Sequence, residues 1–244
     1  MSTIGTIVIA IILAAIVIAI VVYLMNWLYR RSSKEVAFVR TGLGGQKVVM
    51  NGGAFVLPII HEVIPVNMNT LRLEVQRGRE RALITKNRMR VDVVAEFYLR
   101  VQSTAEAIAN AAQTLGQRTM QPEALAELIE GKFVDALRAV AAEMTMEEMH
   151  EKRGEYVKRV KGAVREDLLQ NGLELETVSL TGLDQTNMEF FNPSNAFDAE
   201  GLTQLTEQIE RRKKIRNDIE QDTMIQIRNK NLEAEKQSLE IDQA

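Results

Sequence analysis

The chain has 244 residues, a formal net charge of −3, two histidines and no cysteine. The absence of cysteine excludes disulfides, thiolate metal sites, a cysteine nucleophile and S-palmitoylation. The nearly balanced, slightly acidic charge argues against a nucleic-acid binder, and the length leaves room for an anchor, one core-bearing domain and an extended element.

The first stretch, Ile4 to Leu28, is apolar without a single charged side chain. A helix of that length covers the ~30 Å hydrocarbon layer of a bilayer. A secretory signal would carry basic residues ahead of a shorter apolar run, and myristoylation would need glycine at position 2, where this chain has Ser2. Trp27 and Tyr29, followed by Arg30, Arg31 and Lys34, form an aromatic and basic flank on the C-terminal side. The reading is a permanent single-pass anchor over residues 1–30, with Ile4, Ile12, Ile20, Trp27 and Leu28 in the span. The positive-inside rule then puts the N-terminus outside and the body in the cytoplasm.

From Val36 the pattern becomes short strand-like runs broken by glycine: EVAFVR, the turn TGLGG, QKVVM, NGG and AFVLPII over 54–60. Asn51-Gly52 is a hairpin signal, because type I′ turns need positive φ at both central positions. Leu71, Leu73 and Val75 alternate with polar residues. The clearest strand is Met89–Val101, where every odd position is apolar, so one face sits on a core and the other meets water.

Helices follow. Ser103 with Glu106 has the spacing of a capping box for an alanine-rich helix that can stop at Gly116. Pro122 suits the first turn of the next helix, whose Leu125, Ile129, Phe133, Leu137, Val140 and Met144 share one face. Thr145 and Glu148 form a second capping box. The helix after it aligns Tyr156, Val160, Val164 and Leu168 and ends at Asn171-Gly172. LELETVSL (173–180) returns to strand character and is expected to join the earlier strands. The expected fold class is α+β, with the folded domain over 31–185.

Residues 186–198 read as a turn-rich connector. Residues 199–244 contain no proline and are dominated by Glu, Gln, Lys, Arg and Asn, with Leu205, Ile209, Ile215, Ile219 and Ile227 spaced along them. That stripe is too irregular for a clean heptad repeat, and a long charged helix that leans on neighbours fits it. The pattern runs to Gln243-Ala244 without a cap or breaker, so the helix is expected to continue in a longer parent chain.

The segment EVAFVRTGLGGQKVVMNGGAFVLPIIHEVIPVNMNTLRLEV resembles the opening of the SPFH (stomatin–prohibitin–flotillin–HflK/C, or band 7) domain, and flotillins most of all. Residues 124–180 are similar to the helical half of that domain, and FFNPSNAFDAEGLTQLTEQIE resembles the junction in bacterial inner-membrane flotillins of the YqiK type. The resemblance implies a non-enzymatic homo-oligomeric ring or cage on the inner membrane, with long helices in its wall. It also implies a role in organising membrane microdomains, often beside an NfeD-type membrane protein. A regulatory adaptor that sequesters a membrane protease or transporter is the alternative.

Chemical motifs are weak throughout. Gly42–Lys47 lacks the spacing and the following helix of a phosphate loop and reads as a turn. His61 and His150 have no ligand cluster around them, and Glu147-Glu148 read as first-turn helix charges. No catalytic, metal or cofactor constellation is expected. The run Phe55, Val56, Leu57, Ile59 and Ile60 is either a buried strand or a segment dipping into the inner leaflet, as the resemblance implies; Pro58 at its centre favours an edge or a bend. Arg211–Lys214 reads as a solvated or interhelical charge network in preference to a lipid contact.

Overall fold

The computed structural model describes residues 3–242; Gln243 and Ala244, where the open helical pattern was noted, lie outside the described residues. Helix α1 (Thr3–Leu28) opens the chain. Strand β1 (Tyr29–Arg31) leaves it directly and pairs with β4 (Gly53–Phe55). Strand β2 (Val36–Gly42) is flanked by β3 (Lys47–Val49) and β5 (His61–Asn67) in a second antiparallel sheet.

The glycine-rich TGLGG turn joins β2 to β3 as a hairpin, with positive φ at Gly42, Gly44 and Gly45. Asn51-Gly52 does not close one. The strands on either side of it belong to different sheets, and Asn51 does not take the positive φ of a type I′ turn. The AFVLPII run is strand only to Phe55, then turns, because Pro58 has no N–H to offer a ladder.

The largest sheet is built on β8 (Arg90–Val101). Strands β6 (Leu71–Arg77) and β7 (Leu83–Ile84) follow one another along one side of it, and β9 (Leu173–Gln185) pairs along the other. Burial alternates strictly along β8, with Val91, Val93, Ala95, Phe97, Leu99 and Val101 inside. The late strand therefore returns to the earlier ones, and it runs five residues beyond the expected Leu180.

Helix α2 (Ala105–Thr114) packs against β2 and β5. Its cap is Thr104, whose hydroxyl accepts from the Ala107 N–H. Ser103 and Glu106 do not form the expected box, since the helix begins one residue later than that box requires. Helix α3 (Pro122–Glu143) has Pro122 in its first turn and lays Leu125, Ile129, Phe133, Leu137 and Val140 on the large sheet. Phe133 stacks on Phe97 with ring centroids 4.0 Å apart.

The Thr145–Glu148 capping box is formed in both directions. The helix it starts is split into α4 (Met146–Glu151) and α5 (Arg153–Gln170) by Lys152, which leaves helical geometry at ψ 41°. In α5 the buried residues are Tyr156, Val160, Val164 and Leu168, and the helix stops at Asn171-Gly172. The Tyr156 hydroxyl donates to the Leu137 carbonyl at 3.1 Å, tying α5 to α3, and burial pushes its ionisation above the usual range.

Helix α6 runs from Ala196 to Asp242. It starts three residues earlier than the sequence pattern indicates, because Asn195 accepts from the Phe197 N–H as a cap.

Candidate membrane-facing site

Helix α1 is apolar on every side, and its residues from Ile11 to Trp27 are exposed to whatever surrounds the protein. It is long and apolar enough to cross a membrane. Ile12, Ile20 and Trp27 project outward along it, Leu28 is half-buried at its end, and the side chain of Ile4 lies outside those described.

The helix end is stitched to the body without slack. The ladder sets Tyr29 opposite Phe55, Arg30 opposite Ala54 and Arg31 opposite Gly53, and the Val56 N–H donates to the Leu28 carbonyl at 2.8 Å. Tyr29 and Phe55 rings meet at 5.2 Å, and the Arg40 guanidinium donates to the Phe55 carbonyl at 2.9 Å. Ser32 adds hydroxyl bonds to the Met50 and Gly52 carbonyls. The segment after Phe55 therefore emerges beside the residue where the apolar helix ends.

That segment is an exposed apolar turn. Val56 is buried, but Phe55, Leu57 and Ile60 are exposed and Ile59 is 96% exposed. Of the two sequence readings for this run, the buried strand fails. Beside it stands Leu43 at the tip of the β2–β3 hairpin, 72% exposed. His61 locks the two tips together. Its Nδ1 accepts from the Leu57 N–H at 3.1 Å and its Nε2 reaches the Leu43 carbonyl at 2.9 Å. Because a backbone N–H can only donate, Nδ1 carries no proton and Nε2–H is the donor. Gly42 makes the close approach possible. At φ +124° it takes a conformation other residues avoid, and a Cβ there would overlap the Ile60 carbonyl oxygen. A histidine without a ligand cluster thus has a structural task that its sequence neighbours do not reveal.

A second set of residues fixes α6 to the body. Asp198 is 1% exposed; it accepts from Arg90 Nε at 2.8 Å, Arg90 Nη2 at 2.9 Å and the Asn192 N–H at 3.0 Å. The Arg90 bonds hold its carboxyl below the usual carboxylate range, against the opposing effect of burial. Gly201 sits where a Cβ would overlap the Arg88 carbonyl oxygen, and Arg88 lies over the Phe197 ring, 4.7 Å from its centroid. Leu205, grouped by sequence with the exposed stripe, is 3% exposed and belongs to this joint instead. Ile209, Ile215, Ile219 and Ile227 are exposed on α6 beyond it.

Two further clefts are lined largely by charged residues. One, of about 500 Å³, is lined by Arg77, Glu80, Arg81, Arg90 and Arg138. Its Arg77 and Arg90 are already bound to Glu130 and Asp198. His150 lines another with Glu147, Glu151, Asp184 and Arg212. Among the described residues no group of three or more His, Asp or Glu could hold a metal ion.

Residues 31–238 match the SPFH domain / Band 7 family. The chain is 62% identical over 216 residues to the flotillin family inner membrane protein YqiK of Escherichia coli, covering 88% of this chain and 39% of that protein. It is 28% identical over 224 residues to a flotillin family inner membrane protein of Synechocystis, covering 90% and 33%. To the flotillin-like protein FloT of Bacillus subtilis it is 26% identical over 174 residues, covering 65% and 33%. The chain thus spans well under half the length of these relatives.

Proposed function

From the premise that the chain belongs to the SPFH domain / Band 7 family, in its flotillin branch of the YqiK type, we propose that it is a single-pass scaffold of the inner membrane. Helix α1 crosses the bilayer, and Arg30 and Arg31 keep the body on the cytoplasmic side. Leu43, Leu57, Ile59 and Ile60 enter the headgroup boundary next to the anchor, where apolar side chains are stabilised by leaving water. Copies associate through α6 into a ring or cage and so organise the lipid and protein enclosed beneath it.

The observation that carries this reading is that the folded body is held between two elements with unpartnered apolar surface. One is α1 with its stitched turn, and the other is α6 with its exposed isoleucines. Neither isolated apolar surface is stable in water, and a bilayer and a second copy satisfy them respectively. Matched charges along α6 then select register more than they add affinity. An NfeD-type membrane protein is a further partner under this reading.

Native mass spectrometry and electron microscopy of detergent extracts test it. Closed multi-subunit particles are expected, and monomers alone would overturn it. Deleting residues 1–29 is expected to release the protein from membranes.

A further inference from the structure

The charges on α6 are sorted into blocks along its length. Arg211, Arg212, Lys213, Lys214 and Arg216 form a basic block, and Asp218, Glu220 and Asp222 form an acidic block immediately after it. All of these side chains are exposed. Arg212 turns toward the body, where Glu147, Glu151 and Asp184 line the same cleft of about 430 Å³. Lys213 and Arg216 have partners at 3.7 and 3.9 Å, Glu210 and Glu220, on their own helix. Ile209, Ile215, Ile219 and Ile227 share an arc of about 120° at 3.6 residues per turn. The apolar stripe thus runs straight through both charge blocks.

Resting on the oligomer reading above, we propose that the partner of this stripe is α6 of a second copy, displaced along the helix axis by six to seven residues, about 10 Å at 1.5 Å rise per residue. With no displacement, two parallel copies set each basic block against the same basic block of its neighbour, and like charges at helix–helix contacts repel. A slide of about 10 Å sets the basic block of one copy against Asp218, Glu220 and Asp222 of the next.

The displacement constrains the shape of the assembly. Identical anchors hold every copy at the same depth, so neighbours can differ in axial position only if their helices lean. With axes 8–10 Å apart, an offset of about 10 Å corresponds to a lean of roughly 45° from the membrane normal within the wall. Upright helices satisfy the anchors but not the charges.

The cysteine-free chain makes the register directly readable. Asn217 and Thr223 are exposed, uncharged and six residues apart. Two differently tagged full chains, one Asn217→Cys and the other Thr223→Cys, are co-expressed in membranes and treated with a short bis-maleimide. The mixed 217–223 product is expected to exceed both same-residue products several-fold. Dominant same-residue products within intact oligomers would overturn the offset while leaving the assembly reading standing, and monomers without any cross-link would overturn both. A charge test carries its own sign. In the offset arrangement Lys213→Glu with Lys214→Glu lowers the oligomeric fraction several-fold at low salt, and adding Glu220→Lys with Asp222→Lys restores it. In an unshifted arrangement the first pair of changes relieves repulsion, so a raised oligomeric fraction would overturn the proposal.

Discussion

Replacing Asp198 with asparagine removes one charge from the joint between the body and α6 while keeping the shape of the side chain. The carboxylate accepts three hydrogen bonds, two from Arg90 at 2.8 and 2.9 Å and one from the Asn192 N–H at 3.0 Å. The amide keeps one acceptor oxygen and turns its NH₂ toward a donor, so at least one of these bonds is lost and Arg90 is left without its counter-ion. Breaking one side of a buried ion pair costs about 3–5 kcal/mol. Arg90 keeps some access to water, with its side chain 13% exposed, so the low end, about 3 kcal/mol, applies. The cost falls on local opening of the first turns of α6, and about 3 kcal/mol is roughly a hundredfold in an opening equilibrium. Hydrogen exchange of the Ala199–Leu205 amides should therefore accelerate about a hundredfold at pH 7. The control is Glu200→Gln, which removes the exposed Arg88–Glu200 pair and should change exchange about threefold or less. The sign with pH follows from the lowered Asp198 ionisation. Its stabilisation is fully present above the unfolded carboxylate range, near about pH 4, and is lost as pH falls through the lower folded value. Wild-type protection should be flat from neutral pH to about 4 and decline below it, whereas the asparagine variant should lack that acid limb. An Asp198→Asn protein exchanging within about threefold of wild type would refute the reasoning, because the joint would then rest on packing alone.

Three further outcomes are expected. Gly201→Ala forces a methyl against the Arg88 carbonyl and should cost about 1–3 kcal/mol, read as a lowered thermal midpoint and faster exchange in the same first turns of α6. His61→Ala frees both apolar tips at once, and the Leu57 amide should exchange about tenfold faster, the equivalent of one hydrogen bond. A fluorophore at Ile59→Cys in nanodiscs should be quenched by a lipid-dissolved nitroxide nearly as strongly as one placed at Trp27; quenching no greater than at exposed Asn217 would remove the turn from the membrane.

Local rules read the regular elements well. Strand β8 announced itself through strict alternation, and α3 and α5 through apolar residues at three- and four-residue steps, because each pattern has a single buried face. Turn chemistry was legible where one residue type decides it, as in the Thr145–Glu148 box, and misleading at Asn51-Gly52. There the strand after the turn is claimed by β1, a partner over twenty residues back, and no local signal competes with a backbone ladder set at that distance. The contacts at the candidate site were hidden for the same reason. His61 acts through Leu43 and Leu57 on two different turns, and Arg90 meets Asp198 across 108 positions of chain. A lone histidine after an apolar run and an arginine-rich segment over 77–90 were the only traces either left in the sequence. Leu205 looked like the isoleucines that follow it because composition cannot say where a helix leaves the body.

The ladder between β1 and β4 has a mechanical consequence. A flexible linker of even a few residues would let the body swivel and bob independently of its anchor. Here the last turn of the apolar helix continues straight into paired backbone, so the two elements are joined as one bent lever. When a bilayer thins, a helix longer than the hydrocarbon layer tilts to match it. With α1 spanning the bilayer as proposed, that tilt would be delivered to the body as torque instead of being absorbed in slack chain. In the ring proposed above, a wall of such levers would respond to bilayer thickness as a unit, so the lipid would set the posture of the protein as much as the protein sets the lipid.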